Sequence, residues 1–190
     1  MSKVQKNMIS RRSIYRFSKD EIDLEILEAA FEAARHAPNH KQTYPWKFYV
    51  LGEETRQKII PTVELLAKEK AVIKNEGENE IGVKKAISKI LESPLLIAVT
   101  TSLSPKNIFR EEEDYAATVC SLHNLVLSLW EQGIGSQWST GKITRHDITY
   151  EALNISKRKE RIIGFIKAGY PLVIPERKKK ALSEIRFYLP

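Results

Sequence analysis

The run Leu95-Leu-Ile-Ala-Val-Thr-Thr101 decides the fold. It shows no alternation of apolar and polar residues, and it is far shorter than the roughly 20 residues needed to cross a bilayer. Such a short, unbroken, β-branched run reads as a strand buried on both faces, hence as the centre of a sheet with cover above and below. The neighbouring segments supply that cover. Val83 to Leu91 has helical spacing and stops before Pro94. Glu111 to Gln132 is an Ala-, Leu- and Val-rich helix whose acidic head, Glu111-Glu-Glu-Asp114, suits the helix macrodipole. Its apolar content on all sides predicts deep burial.

Farther out, Ile22, Ile26, Ala29, Ala30, Ala33 and Ala34 recur at helical spacing, with Asp23 placed to cap the first turn and Pro38 just past the end. Trp46-Lys-Phe-Tyr-Val-Leu51 lies between Pro45 and Gly52 and reads as a strand, as does Arg161-Ile-Ile-Gly-Phe-Ile-Lys-Ala168. Thr55 to Lys74 returns to helical spacing, with Pro61 limiting where its first turn can begin. Glu76-Gly-Glu-Asn-Glu80 is the most loop-like segment, and a short helix is expected near Asp147 to Leu153. The order implies one sheet covered by helices, in a single α+β domain over residues 1–190.

Composition agrees with a folded chain: 42% of residues are hydrophobic, 29% are charged, and Gly and Pro number only 8 each. The first residues carry charge but no apolar signal region, which predicts a cytoplasmic protein. The single Cys120 excludes an intramolecular disulfide framework, and its apolar surroundings predict a buried thiol. The net charge of +7 is concentrated toward the C-terminus, as a solvated face or as an attraction for phosphate or nucleic acid.

Four clusters could carry chemistry. Ser10-Arg-Arg-Ser-Ile-Tyr-Arg16 gathers three guanidinium groups and a hydroxyl, suited to an anion or to an ordinary solvated surface. His36-Ala-Pro-Asn-His-Lys-Gln-Thr-Tyr-Pro-Trp46 holds two of the four histidines. No third and fourth ligands stand nearby, so the loop reads as hydrogen-bonding around an aromatic ligand, or as a plain capped loop, rather than as a metal site. Gly133-Ile-Gly-Ser-Gln-Trp-Ser-Thr-Gly141 permits close approach of backbone to a ligand, or is simply a tight turn; its spacing is not that of a dinucleotide fingerprint. Gly169-Tyr-Pro171 is followed by the basic run to Lys180. With no nucleophile triad, paired carboxylates or Walker loop, an enzyme built on this chain needs a cofactor to carry its reaction.

Taken in order, the clusters resemble the nitroreductase family of FMN-dependent oxidoreductases, and most resemble its small bacterial NAD(P)H nitroreductases. The matches are Arg11-Arg12-Ser13, Ala37-Pro38, Pro45-Trp46, the Gly-x-Gly-Ser-x-Trp-x-x-Gly run from Gly133 to Gly141, and Gly169-Tyr170-Pro171. The resemblance implies an α+β sandwich with a central mixed sheet, an obligate homodimer, and FMN at the subunit interface. It implies that Arg11, Arg12 and Ser13 hold the FMN phosphate and ribityl end, that His40 and His36 reach the flavin from the partner, and that Trp138, Ser139 and Thr140 line the site. Lys179 is the tail residue assigned to phosphate, with Arg177, Lys178 and Lys180 as equal candidates. Ser128, Leu129, Trp130, Glu131, Gln132 and Gly133 would lie beside NAD(P)H. Many relatives carry a Lys or Arg two residues after the Ser, where its charge stabilises reduced flavin. Here that position is Tyr15, with Arg16, His40 or Lys41 as substitutes.

The expected activity is a ping-pong transfer of electrons from NAD(P)H through FMN to a nitroaromatic, quinone or similar electron-poor acceptor. No side chain is assigned as a catalytic nucleophile and no metal is expected. The alternatives are a different flavin reaction and a basic nucleic-acid-binding module, the latter lacking any recognised motif or interleaved aromatics. Neither nucleic acid nor membrane is an expected partner. Dimerisation is also expected because a helix bearing Leu122, Leu125 and Leu129 is too apolar to face water.

Overall fold

The computed structural model describes residues 1–75 and 79–190, so part of the loop expected over Glu76 to Glu80 lies outside the described residues. The opening run becomes β2 (Leu95–Ser102), buried at every position but its last. It pairs with β1 (Trp46–Val50) on one side and β4 (Glu160–Gly169) on the other, and β4 then pairs with β3 (Gly135–Ser139). All three pairings are antiparallel. Two helices intervene between β1 and β2, and the chain enters β2 at the end where it left β1, with Val50 opposite Ile97. The expected mixed character is therefore confined to a single parallel bridge, Ser13 to Ser136, outside the four strands.

The alternation of β2 builds two cores. Leu95, Ile97 and Val99 face α2 (Leu24–Arg35) and α5 (Ile108–Glu131), where Ala30, Ala34, Leu122, Leu125 and Leu129 close around them. Leu96 and Ala98 face the other way, toward Ile59 and Val63 of α3 (Glu53–Ile73), Ile90 of α4 (Glu80–Leu91) and Tyr150 of α6 (Asp147–Ala152). A bulge at Ile163, the extra residue of β4 opposite Val99 and Thr100, shifts the alternation, so that Ile163 and Phe165, two residues apart, enter different cores. Asp23 caps α2 as expected, accepting from the Glu25 N–H at 2.9 Å.

Three expectations change. The helix α3 begins at Glu53 and carries the exposed Pro61 in its interior; burial of Ile59, Thr62 and Val63 around it holds the helix through the lost backbone bond. The leucines of α5 are buried within the chain itself, so they do not require a partner subunit. Its outward face is Tyr115, Ala116, Cys120 and His123, which leaves Cys120 exposed rather than buried. Among the described residues, no helix is long and apolar enough to cross a membrane.

Candidate functional site

The N-terminal helix α1 (Lys3–Ser10) ends at Arg11, and the chain then runs extended between two edges of the fold. Ile14 N–H donates to the Ser136 carbonyl at 2.9 Å, Ser18 N–H to Tyr170 at 2.9 Å, and Leu172 N–H to Arg16 at 3.0 Å. These bonds stitch the first, third and fourth sequence clusters into one place. Gly135 is required there: a methyl group would collide with Ile14 and stand 3.0 Å from the Pro171 ring.

Beside this seam lies a cavity of about 480 Å³ lined by Tyr15, Arg16, Gln137 and Leu172 from the seam, and by Lys85, Lys89 and Lys167 from α4 and β4. Lys167 is only 7% exposed and makes no salt bridge among the described residues. Burial, reinforced by the charge of Lys89, pushes its pKa below the ordinary lysine value. Glu92 also lines the cavity, but its carboxylate accepts from Ser88 at 2.8 Å. Lysines 85 and 89 escape sequence reading because they come from a helix distant along the chain. Lys167 left one signal, a lone lysine inside an apolar strand.

The structure sorts the sequence-expected residues. Arg11 is half-buried, and its charge adds to burial in lowering the pKa of His123 on α5. Arg12 turns back on the helix it follows: its Nη1 donates to the carbonyls of Ile9 (2.7 Å), Ser10 (3.1 Å) and Arg11 (2.9 Å). It therefore caps α1, and that nitrogen is already engaged. Trp138 lies over Gly164, where a methyl group would overlap its indole, and its Nε1 donates to the Ile163 carbonyl at 3.3 Å. Ser139 follows on β3, and Thr140 borders a second, larger cavity.

The histidine loop is braced but turned outward. Asn39 accepts from the Tyr44 N–H at 2.6 Å and donates to Thr43 Oγ1 at 3.0 Å. Thr43 in turn donates to the buried Asp114 carboxylate at 2.6 Å. The brace holds Lys41, Gln42 and Tyr44 at φ of 56°, 51° and 47°, a left-handed conformation that side chains disfavour. His40 and His36 are exposed and line none of these cavities, and His36 pairs with Glu32 at 3.0 Å. Lys179 lies in the exposed tail. The segment expected beside NAD(P)H is packed against α1. Leu129 is wholly buried and cannot touch a nucleotide, Trp130 donates to Ser10 at 2.8 Å, and Glu131 pairs with Lys3 at 2.5 Å. Ser128, Gln132 and Gly133 keep exposed surface.

Comparison with known proteins identifies the family and the fold. The Nitroreductase family profile matches residues 8–170, from α1 through the Gly169-Tyr170 end of the seam. The chain belongs to the nitroreductase family. It is 32% identical over 179 residues to the Bacillus subtilis (strain 168) protein named "Putative NAD(P)H nitroreductase YfhC", covering 94% of this chain and 89% of that one. A nitroreductase-like family protein from Bacillus cereus superimposes with a TM-score of 0.83 at 26% identity, covering 100% and 97% of the two chains. A Desulfovibrio desulfuricans "putative nitroreductase in complex with fmn" has the same fold, with a TM-score of 0.78 at 17% identity, covering 100% and 98%. The family and sandwich fold expected from the four clusters are thus the ones found.

Proposed function

We propose that this nitroreductase-family chain is an FMN-dependent NAD(P)H oxidoreductase that reduces nitroaromatic, quinone or similar electron-poor acceptors in two separate half-reactions. The observation that carries the proposal is the cavity at the seam, lined by Arg16, Lys89 and Lys167, where the buried lysine makes no salt bridge among the described residues. A planar, electron-rich ring edge that gains negative charge on reduction matches that donor set. The relative named as an NAD(P)H nitroreductase and the neighbour in complex with FMN favour the same reading.

When bound, FMN supplies the redox chemistry, accepting hydride from NAD(P)H and passing electrons to the acceptor. The chain's task is binding and field. Arg11 and Ser13 are assigned to the phosphate and ribityl end, with Arg12 fixing the turn that presents them. Arg16, Lys89 and Lys167 supply the positive field that relatives obtain from a cation at the position of Tyr15. Trp138, Ser139 and Thr140 are assigned to the wall of the site. Ser128, Gln132 and Gly133 are the part of their segment open to a nicotinamide nucleotide, and Lys179 is assigned to phosphate from the tail.

The reading includes a homodimer in which His36, His40 and Lys41 approach the partner's flavin. The apolar surface that supports it is on α1 and in the tail, where Val4, Ile9, Ile185, Phe187 and Leu189 are all more than half exposed in the single chain. The test is anaerobic mixing of FMN-loaded protein with NADH or NADPH. Bleaching of the flavin, reversed by a later addition of nitroaromatic, is expected; failure of both nucleotides to bleach it overturns the proposal. Sedimentation of a stable monomer with FMN bound would overturn the dimer.

A further inference from the structure

We propose that the larger cavity between α3 and α4 selects acceptors carrying an anionic group, such as a carboxylate, on an electron-poor aromatic ring. This rests on the reductase reading above and names its substrate class. The cavity measures about 690 Å³, in the range of small-molecule sites; among the described residues it is lined by Lys70, Lys85, Lys89 and Lys167, which make no salt bridge, and by one glutamate, Glu69. Glu69 is already engaged by Lys142 at 3.0 Å. The remaining lining is largely aliphatic, including Leu66, Ala67, Ala86, Ile90 and Ile143.

This recess adjoins the proposed flavin site. Lys85, Lys89 and Lys167 line both cavities, and Thr140 opens onto the larger one. Lys85 and Lys89 stand one turn apart on α4, an arrangement of like charges that weakens an isolated helix. A neutral ring would bury against the aliphatic wall and leave the lysines facing each other. A ring with a carboxylate keeps the same apolar contact and adds charge-assisted hydrogen bonds. The concave cationic walls also concentrate anions at the mouth, which raises the association rate at low salt.

The test uses the FMN-loaded protein with 4-nitrobenzoate and its neutral isostere 4-nitrobenzamide. Calorimetry on the oxidised protein gives binding, and turnover with NADPH or NADH gives kcat/KM. The carboxylate is expected to bind at least about tenfold tighter at low salt, with the gap narrowing at high salt. Lys70 and Lys142 are exposed and line only the larger cavity. In a Lys70→Gln, Lys142→Gln variant the preference should fall below about threefold, chiefly through KM. Equal binding of the two compounds, or a preference retained by the variant, overturns the proposal. Reduction of both compounds without a charge preference overturns the acceptor class and leaves the reductase reading standing. Carboxylate-selective binding with reduction of neither compound overturns the reductase reading, and the acceptor assignment with it.

Discussion

Replacing Thr43 with Val tests whether the histidine loop is held by the brace at Asp114. The substitution keeps shape and removes the hydroxyl that donates to the carboxylate at 2.6 Å. A hydrogen bond to a charged group contributes about 1.5–3 kcal/mol. Asp114 is 3% exposed, and its remaining charged partner, Arg110, stands 3.5 Å away, so water cannot readily replace the lost donor. The same hydroxyl accepts from Asn39, which also fixes the Tyr44 N–H. Against these bonds stand three side-chain-bearing residues in left-handed backbone, each costing roughly 1–2 kcal/mol. Tyr44 also precedes Pro45, where extended backbone is preferred. The opposing quantities are of similar size, so Thr43→Val should lower unfolding free energy by about 1.5–3 kcal/mol in urea titration and speed amide exchange across residues 39–44. Thr43→Ser should restore most of both. In an Asp114→Asn background the Thr43→Val effect should shrink, since the charged acceptor is gone. A Thr43→Val protein within about 0.5 kcal/mol of its parent, with unchanged exchange, would refute the brace.

Gly135→Ala should cost about 1–3 kcal/mol by forcing the seam apart against Ile14 and Pro171, read as a lower urea midpoint. Arg11→Ala should weaken FMN binding roughly ten- to a hundredfold by titration, the loss of one charged hydrogen bond, and unchanged affinity would remove Arg11 from the site. Glu160 gives a pH prediction. Burial works to raise its pKa, but hydrogen bonds from Lys47 (2.6 Å), Thr100 (2.7 Å) and Tyr49 (2.9 Å) outweigh it, and the net shift is below the ordinary 4.5. A depressed folded-state value means stability that is complete above the unfolded pKa and is lost as pH falls through the folded one. Acid unfolding profiles should therefore show a limb below about pH 4.5 that Glu160→Gln flattens; an identical limb in the variant would assign it to other carboxylates.

The sequence disclosed elements whose causes are local. β2 was legible because burial on both faces leaves no room for a polar alternation, and α2 because Asp23, the alanine spacing and Pro38 mark both ends. β3 was not, since Gly135-Ser-Gln-Trp-Ser139 has neither alternation nor β-branched content. Its extended form comes from pairing with β4 and from the bridge to Ser13, both contacts across the chain. The helix α5 misled in a different way: its alanine, leucine and valine content pointed to burial on all sides and hid an outward face at Tyr115, Ala116, Cys120 and His123. At the candidate site the motif residues of the seam were visible, whereas the lysines that share its cavity come from α4 and β4 and meet only in three dimensions.

Compensation elsewhere in the fold makes that meeting informative. Glu160 is buried; Lys47 neutralises it, and Thr100 and Tyr49 donate hydrogen bonds to it. Asp114 is buried, and Thr43 and Arg110 attend it. Lys167 is buried to the same degree, yet it makes no salt bridge among the described residues and Lys89 adds a like charge. A lysine whose folded-state pKa is lowered destabilises the fold below that pKa, and the cost disappears only as pH rises toward the unfolded value. At neutral pH the protein thus carries an electrostatic cost at Lys167 that it avoids at its other buried charges. A chain able to place a carboxylate opposite Lys47 gains nothing structural from leaving Lys167 opposed by Lys89. On the proposed reading, an anionic ligand in the cavity would remove that cost and convert it into affinity, so the reading rests on the uncompensated charge rather than on any single motif.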